Sequence, residues 1–407
     1  MPLIECKHCG YSWEARVPNP KYCPRCKQNL DRKSEREASS LIQEFIEAMA
    51  SESKGFRFGD PWRFTEQSLL AILPILRDRA GKRDYITLEQ AQKDGSIVMK
   101  DTGDIGKVGI KNAGSMPVYI RMGQIFAGVG TQPRTAVHSI IILPGRSKDV
   151  DVKCVSASTP IMEDAKFEVG GVVPSETEDV LVQSMVSPEY SSSLQGNVWR
   201  TASSFPRQSI ERLAASSEVD RETLSELRPQ FTDNLSESTK AFKQLISDIL
   251  NKVPIKKNQV GMALLDVTGC RGLEVFDVPI SWKELRDDIV TKYGEAIEEP
   301  GESVFQYIPE KAKALVQDVL RQDYHHRLVW QDGPAKTYAI HNGRMAGEVT
   351  ELNEKIIHIV INRKTQMDRP SVMEYPMLDL QERVERSQAR LERLIVSLEE
   401  ERNPKGK

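Results

Sequence analysis

The rhythm of apolar and polar positions changes along the chain, and the changes divide it. In Ser39–Met49 the apolar residues Leu41, Ile42, Phe45 and Met49 recur on one helical face, which predicts an amphipathic helix that packs on the main body. Residues 51–59 break that pattern. From Trp62 onward, short apolar runs bounded by turn residues predict strands at Leu69–Leu76, Ile97–Lys100, Lys107–Asn112, Val118–Ile120, His138–Leu143, Lys148–Cys154 and Gly171–Val173, with a short helix over Tyr85–Lys93. Ser191–Ser204 is polar and serine-rich and reads as a loop or a helix start.

Helical spacing returns over Arg207–Val253, carried by Leu213, Leu224, Leu227, Phe231, Phe242, Leu245, Ile246 and Leu250, with Pro229 interrupting it. A β-to-α unit follows. Val260–Val267 and Leu273–Val278 are apolar runs joined through Gly269–Gly272, and Ser281 is expected to cap a helix beginning at Trp282. A helix over Pro309–Leu320 leads to strands at Arg327–Trp330, Lys336–His341 and Lys355–Ile361, with Asn342-Gly343 as a hairpin turn. Beyond them Met377, Leu380, Val384, Ser387, Leu391, Leu394 and Leu398 alternate spacings of three and four among Glu and Arg, a short coiled-coil pattern. Three heptads are marginal alone, so this helix is expected either to self-associate or to lie back on the body.

Composition narrows the class. With 407 residues, 39% of them hydrophobic and 28% charged, the chain holds enough apolar material for two or three packed units. Its 56 basic and 59 acidic residues nearly balance, so no chain-wide basic field is available for nucleic acid or acidic membranes. No apolar run approaches the roughly 20 residues of a membrane helix, and the opening MPLIECKHCG lacks the pattern of a signal peptide; the expectation is a cytoplasmic protein without membrane contact.

Six cysteines are no disulfide framework, but four of them are spaced as metal ligands. Cys6, Cys9, Cys23 and Cys26 form C-x2-C-x13-C-x2-C, two knuckles that present four sulfurs to one tetrahedral ion. Structural zinc is the natural occupant, with iron as the physical alternative and a redox thiol pair as the plainer one. Gly10 and Pro24 suit tight turns, with a short hairpin through Tyr11–Val17 between them, and His8 reads as a surface residue. The first 40 residues carry eight basic and five acidic side chains; the four thiolates on zinc subtract a further two, leaving about +1. Lys7, Arg16, Lys21, Arg25 and Lys27, with Tyr11, Trp13 and Tyr22 for stacking, make RNA or ribosome association an alternative, against which a ribbon this small needs its aromatics to cover its own metal site. The expected organisation is therefore α+β: a zinc ribbon over residues 1–30, a linker and amphipathic helix over 31–55, a large mixed β-rich domain over 56–364 and a coiled-coil-like helix over 377–402.

The segments GDPWRFTEQSLLAILPI, YITLEQAQKDG, NAGSMPVYIRMGQIFAGVGTQPRTAVHSIIILPG, VDVKCV, QGNVW and VGMALLDVTGCRGLEVFDVP, taken in order from Phe56 to Lys364, resemble the ADP-ribosylglycohydrolase and rhodanese-phosphatase-superfamily-associated protein domain family. The ribbon resembles a rubredoxin-like module. The family resemblance implies an α+β domain that accompanies proteins of ADP-ribose or phosphoester chemistry, without assigning a reaction. Two positions depart from the family pattern: Gln124 stands after Gly123 and Ser156 after Cys154-Val155, where relatives often carry an acid. An activity that rests on either acid is not expected here.

Candidate chemistry is densest at Gly123–His138, where Gly128 and Gly130 precede Gln132, Arg134 and His138. Glycines let backbone amides approach an anion and Arg134 can clamp a phosphate or carboxylate, although a hairpin with polar surface residues accounts for the same pattern. Cys154 reads as a nucleophile or a buried thiol, and Gln195–Trp199 as a ligand rim or a helix cap. Asp323 with His325 and His326 is half a metal site at most, and Asp266, Glu274 and Asp277 are acids that strand alternation can pair on one face. The leading expectation is a binding or scaffold protein that engages a protein partner or a second copy through its carboxy-terminal helix. The alternative is an enzyme or sensor for a small anionic, ADP-ribose-like or phosphorylated ligand. The two separate on one feature: an enzyme pocket should converge Arg134 with an acid or a histidine in a concave site, whereas a scaffold should expose an apolar patch instead.

Overall fold

The computed structural model describes residues 3–5, 12–14, 32–63, 70–156, 159–187, 193–215, 221–232, 234–266, 268–293 and 309–364. Cys6, Cys9, Cys23 and Cys26, and the coiled-coil pattern over 377–402, lie outside them. Leu3–Glu5 pairs antiparallel with Ser12–Glu14, Leu3 opposite Glu14.

The largest element is a nine-stranded sheet. Its order runs His325–Asp332, Ala335–His341, Met345–Leu352, Lys355–Arg363, Gly269–Phe276, Gln259–Asp266, Ala71–Arg77 and Phe56–Phe58, with Trp62–Arg63 also paired to Ala71–Arg77. All these pairings are antiparallel. Alternation then sorts the side chains by parity in the strands Gly269–Phe276, Met345–Leu352 and Lys355–Arg363. The odd positions Leu273, Val275, Val349, Ile359 and Ile361 join Ile42, Ile46, Met49, Ala312 and Val316 of the helices Arg32–Ala50 and Pro309–Leu320 in one apolar core. Full burial of each such aliphatic side chain is worth about 1.5–3 kcal/mol. The even positions Glu274, Glu348, His358 and Asn362 point to the other face, and all are buried.

That second face is covered by a smaller assembly. A six-stranded sheet runs Phe167–Val172, Gln124–Gly128, Arg134–Ala136, Ser147–Cys154, Lys107–Asn112 and Ile97–Asp101. Its outer strands meet through the bridge Lys100 to Lys166 and the bond from Asp101 N to Ala165 O at 2.8 Å, so the sheet curls back on itself. A three-stranded sheet, Ile140–Ile142, Val118–Ile120 and Ile86–Thr87, shares its apolar core, with Val118 and Ile120 beside Val108, Ile110 and Phe126. Helices Ser175–Val186, Leu194–Ala215, Arg221–Leu227, Leu235–Leu245, Ser247–Lys252 and Pro279–Thr291 are further described elements of the domain. Among the described residues no helix is long and apolar enough to cross a membrane.

Several local expectations change. The helix after Ile86–Thr87 is shorter, Leu88–Lys93, because the Thr87 hydroxyl accepts the Gln90 amide and caps it. Ser191–Ser204 contributes to a helix, Leu194–Ala215, which runs through Pro206. Gly269 and Gly272 lie within the strand Gly269–Phe276 rather than in a connection, and a Cβ on Gly272 would sit 2.5 Å from Asn362 Oδ1. Ser281 does not cap its helix: Pro279 opens it, and the Ser281 hydroxyl is buried 2.8 Å from the Tyr85 hydroxyl. The strand at His138–Leu143 narrows to Ile140–Ile142, leaving His138 before it.

Candidate functional site

The densest polar constellation lies where the large sheet meets the smaller assembly, and it gathers residues from five separated segments. Arg121 follows the strand Val118–Ile120, Glu178 is in the first turn of Ser175–Val186, Glu274 and His358 stand on neighbouring strands of the large sheet, and Lys292 closes the helix Pro279–Thr291. Arg121 Nε donates to Glu274 Oε1 at 2.5 Å and Nη2 to Glu274 Oε2 at 2.8 Å, while Nη2 also reaches Glu178 Oε2 at 2.5 Å. Lys292 Nζ donates to Glu178 Oε1 and Glu274 Oε2, both at 2.7 Å. Asn362 Nδ2 adds a bond to Glu178 Oε1 at 3.1 Å. The two cations and two carboxylates have 0–1% side-chain exposure.

Burial opposes ionisation of Arg121, Lys292, Glu178 and Glu274, yet their mutual charges outweigh it. Arg121 and Lys292 hold the Glu178 carboxyl below, and the Glu274 carboxyl well below, the usual carboxylate range. Burial lowers His358, which favours the neutral ring. A carboxylate can only accept, so His358 Nε2 carries the proton and donates to Glu274 Oε1 at 3.1 Å; Nδ1 then accepts from the Tyr119 hydroxyl at 2.8 Å. Tyr119 lies 3.2 Å from Ser139 Oγ, which bonds Glu348 Oε1, and Ser139 N donates to Glu348 Oε2 at 3.0 Å. A continuous hydrogen-bonded chain therefore joins Glu348 to Glu274. Burial pushes the Glu348 carboxyl up to about 7 despite the Ser139 bonds. Beside the cluster, burial and neighbouring Glu178 raise Asp179 to about 8.

The glycine-rich segment is built differently. Gln124–Gly128 and Arg134–Ala136 form a hairpin whose tip is Val129–Pro133. Arg134 has no solvent exposure. Its Nη2 donates to Asp101 Oδ2 at 2.7 Å and its Nη1 to the carbonyls of Asp104, at 3.0 Å, and Lys107. Asp101 also accepts Thr131 Oγ1 at 2.6 Å and the Gly103 amide at 2.9 Å. Thr131 Oγ1 in turn accepts the Met162 amide at 3.0 Å. One buried ion pair thus ties three loops, and an anion bound by Arg134 must compete with Asp101. On those loops Val129, Met162, Ile105 and Ile161 are 56%, 55%, 45% and 40% exposed.

The Gln132 amide nitrogen donates to the Ser156 carbonyl, and its Oε1 lies 3.0 Å from Cys154 Sγ. Burial pushes the Cys154 thiol up to about 11 and Cys270 to about 12, which disfavours thiolate at neutral pH. Gly128 cannot carry a side chain, since a Cβ would meet Thr131 O at 2.1 Å; Gly130 has φ of +75° with open space around it. His138 Nδ1 lies 3.2 Å from the Ser139 carbonyl, apart from Arg134's partners. Gln195 bonds the Cys154 amide and carbonyl, at 3.2 and 2.8 Å. Asp266 pairs with Arg363, and Asp277 with Tyr85 and Lys355, so of the three acids only Glu274 enters the cluster. Among the described residues no group of three or more His, Cys, Asp or Glu is placed to hold a metal ion.

Sequence reasoning missed Arg121, Glu178, Lys292, Glu348 and His358. They stand far apart in the chain, and no spacing announces charges that converge only through sheet pairing.

The family model of the ARG and rhodanese-phosphatase-superfamily-associated protein domain matches residues 55–361. No curated protein and no solved structure matches the chain. The matched stretch contains Arg121, Glu178, Glu274, Lys292 and His358 as well as the Asp101–Arg134 pair, and the chain belongs to the ARG and rhodanese-phosphatase-superfamily-associated protein domain family.

Proposed function

We propose that this is a binding or scaffold protein in which a structural zinc ribbon and a carboxy-terminal helix flank an α+β domain that engages a protein partner. The observation that carries this reading is the disposition of side chains at the three tied loops. The cation that the sequence offers for a ligand is closed on Asp101, while Ile105, Val129, Ile161 and Met162 of the tied loops are exposed. Exposed apolar groups gathered on preorganised loops are characteristic of protein contact surfaces. The ribbon rests on the four-cysteine spacing and on the antiparallel pairing of Leu3–Glu5 with Ser12–Glu14, which a first ribbon hairpin requires.

The test replaces the exposed groups and watches stability. Val129→Asp and Met162→Asp should each change unfolding free energy by no more than about 0.5 kcal/mol, as for surface positions. A loss of several kcal/mol from both would mean that these side chains serve the fold, and the reading would lose its main support.

A second reading, an enzyme or sensor for an ADP-ribose-like or phosphorylated ligand, is favoured by Glu348 and Asp179, carboxyls raised towards neutrality beside the Arg121–Lys292 cluster. It requires the cluster, or the Arg134–Asp101 pair, to open. Titration with ADP-ribose and with inorganic phosphate, followed by thermal unfolding, tests it: a saturable rise in Tm that Arg134→Ala or Arg121→Met removes would establish it over the first.

A further inference from the structure

We infer that the three-loop surface takes a basic amphipathic segment of a partner protein, an inference that rests on the binding reading above. The loops are held firmly. The Asp101 carboxylate fixes the loop after Ile97–Asp101 through the Gly103 amide, and the hairpin tip through Thr131 and Arg134. Asp101 O and Thr131 Oγ1 accept the amides of Asp164 and Met162, which fixes the third loop. The surface is therefore assembled before a partner arrives, and little ordering entropy is left for binding to supply.

Its chemistry is selective. Of the seven large apolar side chains that stand exposed among the described residues, four (Ile105, Val129, Ile161 and Met162) are on these loops. Scattered single exposures need no explanation, but this concentration does. The exposed tip segments 103–105, 129–130 and 160–164 carry Asp104, Glu163 and Asp164, and no Lys or Arg. Gly103, with φ of +77°, brings its loop against Glu163: a Cβ there would be 3.5 Å from the Glu163 carboxyl carbon. Of the neighbouring bases, Lys100 is bridged to Lys166 and faces Asp164 at 3.5 Å, and Lys107, whose amide bonds Asp104 O, is paired with Asp151 at 2.5 Å. Exposed apolar side chains interspersed with acids are complementary to a segment that buries Leu, Ile or Phe and presents Lys or Arg around them. The same acids repel phosphate backbones and anionic headgroups. Met162 supplies a flexible, polarisable contact that adapts to different apolar partners.

The test is selection of random peptides of about twelve residues, displayed on phage, on the immobilised full-length protein, with counter-selection on Val129→Asp/Met162→Asp. The expected result is enrichment of sequences that combine Lys or Arg with large apolar residues. Their affinity should fall at least about tenfold on the counter-selected variant and should weaken as salt is raised. Asp104→Lys/Glu163→Lys should turn the preference towards acidic peptides. Enrichment without a basic bias, retention by the apolar variant, or no enrichment would overturn the inferred partner chemistry. Failure of the binding reading itself would show differently, as the ligand-induced, Arg-dependent rise in Tm described above.

Discussion

Arg121 and Glu274, 153 positions apart in sequence, meet as a two-point ion pair shut away from solvent, with N to O distances of 2.5 and 2.8 Å. Glu178 and Lys292 close the same knot, so four chain segments are fastened at one point. Removing one charge from such a pair leaves its partner desolvated and unmatched, at a cost of about 3–5 kcal/mol. Glu274→Gln should lose stability of that order in urea unfolding. Arg121→Met/Glu274→Met should lose clearly less than the sum of its single substitutions, and strict additivity would mean that the pair is not energetically coupled.

The Arg134–Asp101 pair should act on loop order. Asp101→Asn leaves the Arg134 charge without its counterion, and amide exchange in residues 129–133 and 160–165 should accelerate well beyond that of the strands Gln259–Asp266 and Gly269–Phe276. Uniform acceleration through the domain would contradict the local tie.

The pH dependence of stability has a definite sign. Glu348 titrates at about 7 in the folded chain against an ordinary value of 4.5. Between those values the folded state keeps a proton that the unfolded state has released, so stability falls as pH rises through that window. Glu178 and Glu274 run oppositely: their folded values are depressed, so their contribution is present above the unfolded value and is lost as pH falls through the folded one. Glu348→Gln can still accept from Ser139 N and donate to Ser139 Oγ. Relative to the natural protein it should gain stability between about pH 5 and about pH 7.5, whereas a difference that stays constant over this range would exclude Glu348 as the titrating group.

Gly347 allows two strands to approach: a Cβ there would lie 1.9 Å from the Val360 carbonyl oxygen. Gly347→Ala should therefore cost several kcal/mol or prevent folding, a backbone clash that no side-chain rotamer relieves. Near-natural stability by calorimetry would show that the strands can separate without loss.

How much of this was legible in the chain follows from what each element buries. Lys107–Asn112, Val118–Ile120 and Pro309–Leu320 have the bounds that their patterns predicted, because each carries a regular apolar face. Met345–Leu352 gave no such signal: all eight residues are buried, and Gly347, Glu348, Thr350 and Glu351 break the apolar run that a fully buried strand usually shows. Of these four only Glu348 belongs to the hydrogen-bonded chain that reaches Glu274, so one residue that hid the strand also hid part of the site, whereas Glu351 bonds Lys336 and Tyr338. Arg134 was legible as important but not in its role, since Asp101 lies 33 positions earlier and the two meet only after the sheet curls.

The most direct measurement is native mass spectrometry of the untagged protein prepared without chelator. The account predicts one zinc per chain, lost with Cys23→Ser while the main domain keeps its Tm, and no nucleotide-sized adduct. A reproducible adduct of that size, absent from Arg134→Ala, would contradict it and place ligand chemistry at the loop assigned here to a protein partner.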